Sequence, residues 1–197
     1  MKLSESFKRV FYVSTDAEKD AWMDKLTRGT RNRDIDEHYV KGRLLGEGFF
    51  GKVYAGHPTK TPDERVAIKV INKQEMQRHE LHLHLNEIEM LKVCADHPSV
   101  LKLVDYFEDA SFIHLVTELI EGPDLFDYIK QVKVDEMSLK EIMKKLLNGL
   151  GYLHNLGAVH RDIKLENIMI GISGDETKVI TPKLIDFGLS IVLCPGE

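Results

Sequence analysis

"AVHRDIKLENIMI", residues 158–170, places charged and polar side chains between two apolar flanks. Six of the eight residues from 160 to 167 belong to this set, namely His160, Arg161, Asp162, Lys164, Glu166 and Asn167. A charged group that is removed from water destabilises a protein unless it is paired, hydrogen-bonded or used in chemistry. The stretch therefore predicts a functional site at the edge of a hydrophobic core.

The bulk composition is that of a globular protein. The chain has 197 residues, of which 43% are hydrophobic and 30% are charged, and its formal net charge is −5. Acidic and basic residues are mixed along the chain, so no basic stripe predicts a nucleic-acid partner. Cys94 and Cys194 lie far apart without a CxxC pattern, which argues against both a disulfide scaffold and a zinc site.

The first residues do not resemble a targeting signal. The segment MKLSESFKRVFYVSTDAEKD lacks the apolar core of a signal peptide. No apolar run reaches the roughly 18 residues that a membrane-spanning helix needs. We therefore expect a cytoplasmic protein.

A short strand–helix unit is predicted at residues 1–28. RVFYVST has the composition of a strand, and the next segment has a capping box at Thr15 and Glu18, with Trp22 near the centre of the predicted helix. A strand followed by such a helix resembles the closing elements of a pleckstrin homology domain. A membrane partner is expected only if that domain is complete in a longer chain; the alternative is a helix that docks on the next domain. The polar residues 29–38 are predicted to form a linker.

From Tyr39 onward the pattern changes to strands. Strands are predicted in YVKGRLLGEG, GKVYAGHP and RVAIKVIN, followed by a helix over 73–95 and two further strands. The helix is predicted from the spacing of Leu81, Leu85, Ile88 and Leu91.

Helices dominate the second half of the chain. A long helix is predicted in SLKEIMKKLLNGLGYLHNLG, with Ser138 and Glu141 as its capping box. Its predicted core stripe consists of Ile142, Leu146, Leu150 and Leu153. A ligand is expected in the cleft between the strand-rich half and the helical half.

Glycines recur in LLGEGFFGKVYAG as Gly46-x-Gly48-x-x-Gly51. This spacing alone fits both a dinucleotide-binding turn and a phosphate-covering hairpin. The following KVYA continues as a strand instead of opening a helix, which favours a hairpin whose glycine backbone approaches phosphates closely. A tight hairpin that binds no ligand is the alternative.

A lysine and a glutamate are predicted to meet beside this loop. Lys69 ends the apolar strand RVAIK, and Glu87 lies on the following helix, one residue before Ile88. An ammonium group held by a carboxylate would be placed to bind the α- and β-phosphates of a nucleotide. A solvated lysine at a strand edge is the alternative.

A zinc motif is not predicted in RHELHLH. His79 and His82 are three residues apart, so the segment does not match the HExxH pattern. We expect exposed helix histidines instead.

The order and spacing of four motifs resemble a eukaryotic protein kinase. They are the glycine loop at 46–51, Lys69 with Glu87, HRDIKLEN at 160–167 and DFG at 186–188. The resemblance covers about residues 39–197 and implies an α+β, bilobal protein-kinase-like fold. A small antiparallel N-lobe sheet with one helix, and the hinge, are expected at 39–121. An incomplete helical C-lobe that ends in the activation segment is expected at 122–197. The motifs are most similar to the calcium/calmodulin-dependent-kinase-like group.

The resemblance implies transfer of the γ-phosphate of ATP to a protein hydroxyl. By that resemblance, Asp162 accepts the proton of the hydroxyl, and Lys164 contacts the γ-phosphate as in serine/threonine kinases. Lys69 and Glu87 complete the expected catalytic set. The implied partners are ATP and a protein substrate that carries a serine or threonine.

The resemblance also assigns residues to the nucleotide and its metal. Asn167 and Asp186 supply oxygen ligands, which suit Mg²⁺. The expected ATP contacts are the glycines Gly46, Gly48 and Gly51, the phosphate-binding Lys69, Val53 and Ala67 above the base, Met169 below it, Thr117 as gatekeeper, Glu118 and Ile120 in the hinge, and Asp124 near the ribose.

Only 11 residues follow Asp186, so the helices that follow the activation segment in kinases are not in the sequence. We expect a fragment, an incomplete gene model or a natural truncation of a kinase, with little peptide-kinase activity by itself. One alternative is an ATP-binding pseudokinase or regulatory module. Another is a membrane adaptor that acts through residues 1–28.

Overall fold

Strands β1 (Tyr39–Gly48) and β2 (Gly51–Pro58) form an antiparallel hairpin at the glycine loop. This computed structural model describes residues 34–48, 51–94, 96–173 and 179–193. Gly51 has a φ of 113°, and a Cβ at this position would overlap the carbonyl oxygen of Val70, so the hairpin requires glycine here. The predicted hairpin is confirmed, and the dinucleotide-binding turn, which would open a helix, is excluded.

Five strands form one antiparallel sheet in the order β1-β2-β3-β5-β4. The other three strands are β3 (Val66–Asn72), β4 (Leu103–Glu108) and β5 (Phe112–Glu118). Helix α1 (Arg78–Cys94) connects β3 to β4. The central strand β3 reaches α1 through Lys69, whose side chain contacts Glu87 of the helix.

Helix α1 packs through a face that differs from the predicted apolar stripe. Ile88 and Leu91 are buried, as the spacing indicates, but Leu85 is 38% exposed. The buried face instead includes the polar residues His84 and Glu87. A prediction from apolar residues alone cannot identify the buried face of α1. The polar side chains on that face are buried because they interact with other elements.

Two further helices, α2 (Leu125–Gln131) and α3 (Glu136–Asn155), build the helical part. The predicted core stripe of α3 is confirmed, since three of its residues are buried and the fourth is partly buried against them. The predicted cap is wrong. Asp135 is the N-cap residue, and its carboxylate accepts a hydrogen bond from the backbone N–H of Ser138 at 2.9 Å. The helix therefore begins ahead of Ser138, because the chain leaves its extended conformation at Asp135.

Two small sheets bring the charged stretch and the DFG segment together. Strand β6 (Ala158–Val159) pairs with β9 (Ile191–Val192), and β7 (Ile168–Ser173) pairs with β8 (Val179–Leu184). A 3₁₀ turn, Leu165–Asn167, leads into β7. Residues 160–167 and 185–190 therefore run side by side between the two pairs of strands.

The residues just before β1 belong to the folded unit. A 3₁₀ turn, Ile35–Glu37, precedes β1, and Ile35 packs in a small core cluster with Phe107 and Val116. The compact unit begins at Asp34, so the linker predicted over 29–38 overlaps it at 34–38. The predictions for residues 1–28 lie outside the described residues.

The architecture confirms the predicted α+β fold, with an antiparallel sheet and one helix followed by a helical part. The helices of the described residues include none that is long and apolar enough to cross a membrane. Cys94 is a buried free thiol, and Cys194 lies outside the described residues. His79 and His82 are exposed on α1.

Replacing Ile35 with alanine tests whether the residues before β1 support the fold. Ile35 is 5% exposed within the small core cluster, so Ile35→Ala removes buried methyl groups and leaves a cavity. We expect the free energy of unfolding to fall by roughly 2–4 kcal/mol in urea denaturation. The matched control is Val40→Ala, because Val40 is 45% exposed; its effect should stay below about 1 kcal/mol. Equal free energies of unfolding for the two variants would contradict the assignment of Ile35 to the core.

Candidate active site

A cleft of about 650 Å³ lies between the sheet and the helical part. Its walls contain most of the predicted site residues: Gly46, Gly51, Val53, Ala67, Lys69, Glu87, Thr117, Glu118, Ile120, Asp124, Asn167, Met169 and Asp186. Gly48 lies at the end of the hairpin, where it pairs with Gly51. Asp162 and Lys164 are not part of the walls. Asp162 nevertheless lies beside the cleft, because it accepts a hydrogen bond from the wall residue Asn167.

Lys69 and Glu87 form an ion pair at the wall of this cleft. Nζ of Lys69 donates a hydrogen bond to Oε2 of Glu87 at 2.7 Å. Their side chains are 19% and 5% exposed, so the pair is largely removed from water and the alternative of a solvated strand-edge lysine is excluded. Burial raises the pKa of Glu87, but the charge of Lys69 and the nearby ring of His84 outweigh this effect and lower the pKa to about 2.

Asp162 is held by two side chains of the same loop. Lys164 Nζ and Asn167 Nδ2 donate to its Oδ2 atom at 2.8 Å and 2.7 Å. The hydrogen bond from Lys164 is the main reason that the pKa of Asp162 lies below its ordinary value, and Asn167 adds to the effect. The same contact raises the pKa of Lys164. Both groups are therefore charged at neutral pH, and the Oδ1 atom of Asp162 is the oxygen that these two donors leave for a further partner.

Two non-glycine residues with left-handed backbone conformations lie beside the cleft. Arg161 has a φ of 67° and Asp186 a φ of 62°. Each such conformation costs on the order of 1–3 kcal/mol and persists where the surroundings hold it. Arg161 Nε donates to the carbonyl oxygen of Leu189 at 2.6 Å, which connects the two strained segments directly.

His160 supports the same region from inside the core. Burial lowers the pKa of His160, so the ring is neutral near pH 7. Its Nε2 atom lies 3.0 Å from the carbonyl oxygen of Ile185, and its ring packs against Phe187 at 4.8 Å between centroids. The residues on either side of Asp186 are thereby attached to the loop that carries Asp162.

The hinge after β5 is fixed to both parts of the fold. The N–H of Glu118 donates to the carbonyl oxygen of Lys102 at 3.1 Å. Its Oε1 atom accepts from the N–H of Lys102 at 2.8 Å and pairs with Nζ of Lys183 at 2.7 Å. Thr117 is buried and its hydroxyl donates to the carbonyl oxygen of Glu118 at 3.2 Å.

Asn167 and Asp186 could hold a divalent cation by the chemistry of their oxygens. The Nδ2 atom of Asn167 is used by Asp162, so its amide oxygen is the atom left for a cation. The described residues contain no group of three or more histidine, cysteine or acidic side chains that could hold a metal. Mg²⁺ is commonly bound through one or two carboxylates with phosphates and water, so two oxygen donors at the wall of this cleft fit this ion.

Two predicted residues have structural roles as well. Asp124 is the N-cap of α2, and its Oδ1 atom accepts from the N–H of Asp127 at 2.8 Å, which leaves Oδ2 for a ligand. Gly51 is required by the hairpin itself. A Cβ at Gly46 would have no neighbour within 4 Å, so protein packing does not explain the glycine at that position.

Sequence reasoning missed several residues of the cleft. Its apolar walls also contain Leu45, Leu101, Leu115 and Ile185. Leu115 lies two residues before Thr117 in β5, and alternation along a strand would have placed both on one face. Asn86 was missed too, although its side chain contacts the segment after Asp186. No local pattern distinguishes it from an exposed helix asparagine.

Comparison with known proteins identifies the family. The protein kinase domain family matches residues 39–197. The chain is 38% identical over 158 residues to calcium-dependent protein kinase 4 of Plasmodium falciparum, which covers 79% of this chain and 29% of that protein. It is 31% identical over 170 residues to calcium-dependent protein kinase 7 of Oryza sativa subsp. japonica, covering 86% of this chain and 31% of that protein.

A third relative belongs to another kinase type. The chain is 33% identical over 176 residues to a probable myosin light chain kinase of Dictyostelium discoideum, covering 88% of this chain and 54% of that protein. The chain thus spans about half of this relative and less than a third of the two calcium-dependent kinases. The match over residues 39–197 means that the chain belongs to the eukaryotic protein kinase family, and its relatives place it in the calcium/calmodulin-dependent-kinase-like group.

Proposed function

We propose that this chain supplies the ATP-binding and catalytic part of a protein serine/threonine kinase. The observation that carries the proposal is the Lys69–Glu87 ion pair, which lies at the wall of the same cleft as Asn167 and Asp186. A lysine held in this way presents its ammonium group to the α- and β-phosphates without losing further side-chain entropy on binding. In this proposal, kinase activity is assigned to the whole protein and not to this chain alone.

The adenine base occupies the apolar end of the cleft in this proposal. Val53 and Ala67 lie above it and Met169 lies below it. The N–H of Glu118 is already used by Lys102, so the carbonyl oxygen of Glu118 and the backbone of Ile120 are the hinge groups offered to the base. The remaining carboxylate oxygen of Asp124 is offered to the ribose.

Phosphoryl transfer depends on position and on charge neutralisation more than on strong acid–base chemistry. The carboxylate of Asp162 accepts the proton of a substrate hydroxyl through Oδ1, while Lys164 faces the γ-phosphate. A carboxylate with a lowered pKa is a weak base, which is adequate because the transition state is loose and the proton leaves late. Mg²⁺, when bound by Asn167 and Asp186, would neutralise charge on the phosphates.

Peptide phosphorylation by the isolated chain is proposed to be weak. Leu139, Met143 and Leu147 form a stripe on α3, and they are 38%, 43% and 61% exposed. An apolar stripe of this kind is typical of a surface that further protein covers. A protein substrate would then need parts of a longer kinase in order to bind productively.

A thermal melt of the 197-residue chain with Mg·ATP is the first test of nucleotide binding. ATP at about a hundred times its dissociation constant should stabilise the chain by roughly 2.7 kcal/mol. Lys69→Met should abolish the shift, because it removes the phosphate-binding charge. The matched control is Lys52→Met on β2. Lys52 lies opposite Val70 in the strand register, and its side chain is on the other face of the strand from Val53, which lines the cleft. A shift that survives Lys69→Met unchanged would contradict the assigned role.

Magnesium-dependent ATP hydrolysis separates an enzyme from an ATP-binding module. We expect the wild-type chain to hydrolyse ATP slowly in the presence of Mg²⁺, and Asp186→Asn to lose this activity because one oxygen charge at the metal site is removed. ATP binding without any hydrolysis in the wild type would instead favour the pseudokinase.

The Lys69–Glu87 pair predicts a pH-dependent contribution to stability. The pKa of Glu87 is lowered from 4.5 to about 2 in the folded chain, so its ionised form stabilises the fold above pH 4.5 and the effect is lost as pH falls towards 2. Glu87→Gln should reduce the free energy of unfolding by about 3 kcal/mol at pH 7. The difference from wild type should shrink as the pH is lowered below 4.5.

The control for this measurement is Glu89→Gln on the same helix. The side chain of Glu89 is 68% exposed and pairs with Lys92 at the surface, so the effect of Glu89→Gln should stay below about 1 kcal/mol. A Glu87→Gln effect that is constant from pH 7 to pH 3 would show that the charge of Glu87 is not the stabilising feature.

Phosphorylation of a mixed serine/threonine peptide library tests the activity of the isolated chain. We expect the wild-type chain to incorporate no more phosphate into the peptides than the Asp162→Asn variant does, even under conditions in which the wild type hydrolyses ATP. Incorporation far above the Asp162→Asn background would refute the proposal that a longer chain is needed.

A further inference from the structure

Asn86 lies one residue before Glu87 on α1 and reaches the chain after Asp186. Its Nδ2 atom lies 2.7 Å from the carbonyl oxygen of Ser190, 3.0 Å from that of Gly188 and 3.4 Å from that of Phe187. The two shorter distances are those of good hydrogen bonds, and they match the two hydrogens of a side-chain amide. One side chain of α1 therefore holds the backbone of residues 187–190.

Helix geometry sends the two neighbouring side chains to different partners. Successive residues are separated by about 100° around a helix axis. Glu87 consequently reaches Lys69 in the central strand, whereas Asn86 reaches the segment that follows Asp186. Helix α1 thereby connects the ion pair with the DFG segment through two adjacent residues.

The DFG segment needs anchors, because the left-handed conformation of Asp186 persists only where neighbouring contacts hold it. On the side of the helical part, Arg161 donates to the carbonyl oxygen of Leu189, and the hydroxyl of Ser190 donates to that of His160 at 3.1 Å. On the side of the sheet and α1, the side-chain hydrogen bonds that the described residues make to this segment come from Asn86.

We propose that Asn86 is a positioning residue that holds Asp186 in place relative to Lys69 and Glu87. The inference rests on the function proposed above, in which Asp186 holds Mg²⁺ and Lys69 binds the phosphates. Without the amide of Asn86, the backbone of residues 187–190 loses these hydrogen bonds to α1. The cleft then no longer presents the ammonium group and the metal-binding carboxylate at a constant separation. Binding of the metal–nucleotide complex is weakened, whereas binding of the adenine base is not.

The test uses two variants of Asn86 and the same two substitutions at Asn148 in the 197-residue chain. Asn86→Leu removes both donors at similar volume, and Asn86→Asp directs a carboxylate towards three carbonyl oxygens. Asn148 lies exposed on α3, so Asn148→Leu and Asn148→Asp control for the chemistry of each substitution. ATP affinity is measured by calorimetry in EDTA and again with excess MgCl₂.

We expect the affinity of the Asn86 variants for metal-free ATP to stay within about twofold of that of the wild type. The factor by which Mg²⁺ increases the affinity for ATP should be roughly tenfold smaller in these variants, which is the size of effect expected for the loss of a buried hydrogen bond. Both Asn148 variants should retain that gain. A purely structural role would lower the melting temperature and leave the magnesium-dependent gain intact. A retained gain in both Asn86 variants would therefore overturn the proposal.

Amide hydrogen exchange provides a second readout that needs no nucleotide. We expect faster exchange at residues 186–190 in both Asn86 variants, with the α3 core from 142 to 153 unchanged. Unchanged exchange at 186–190, or faster exchange throughout the chain, would overturn the proposal, since Asn86 would then have either no anchoring role or a general one. If the wild-type chain binds no ATP, the proposed function fails, and hydrogen exchange alone decides the role of Asn86.

Discussion

The buried carboxylate of Glu87 is the constraint on which the rest of the site depends. A charge at a 4% exposed residue is unstable without a partner, and the structure provides one from the central strand of the sheet. The pair sets the separation between α1 and β3 and leaves the cleft open beneath the glycine hairpin. The same contact holds the side chain of Lys69 at the wall of the cleft, so a feature that stabilises the fold also prepares the proposed phosphate site.

A second requirement follows from the strained backbone beside the cleft. Arg161 and Asp186 both have positive φ, and hydrogen bonds hold the residues around them. His160 attaches the loop to Ile185, Arg161 attaches it to Leu189, and Asn86 attaches the following carbonyl groups to α1. Strain at these two positions is therefore held from both the sheet side and the helical side, as expected where a site must be formed before its ligand binds.

Several motif residues combine a structural contact with the role that the family resemblance assigns. Asp124 caps α2 with one carboxylate oxygen, and Glu118 connects the hinge to Lys102 and Lys183. Gly51 is needed by the hairpin, whereas Gly46 has open space where a Cβ would lie. The two glycines of this motif thus differ in their physical surroundings, and substitutions at them are not equivalent.

The sequence by itself determined the elements and the chemistry of the site, because both follow from local patterns. Strand alternation, the stripe of α3 and the family resemblance carried by the glycine, HRD and DFG motifs were sufficient to predict an α+β kinase fold and many of the residues that line its cleft, although not Leu115 or Ile185. Only the tertiary structure decided that Leu85 faces solvent while His84 and Glu87 are buried, that Asp135 and not Ser138 caps α3, and that Asn86 binds a segment 101 to 104 residues away. These features depend on which surfaces meet when the sheet, α1 and α3 pack together, and a polar residue is stable inside only if that packing brings it a partner.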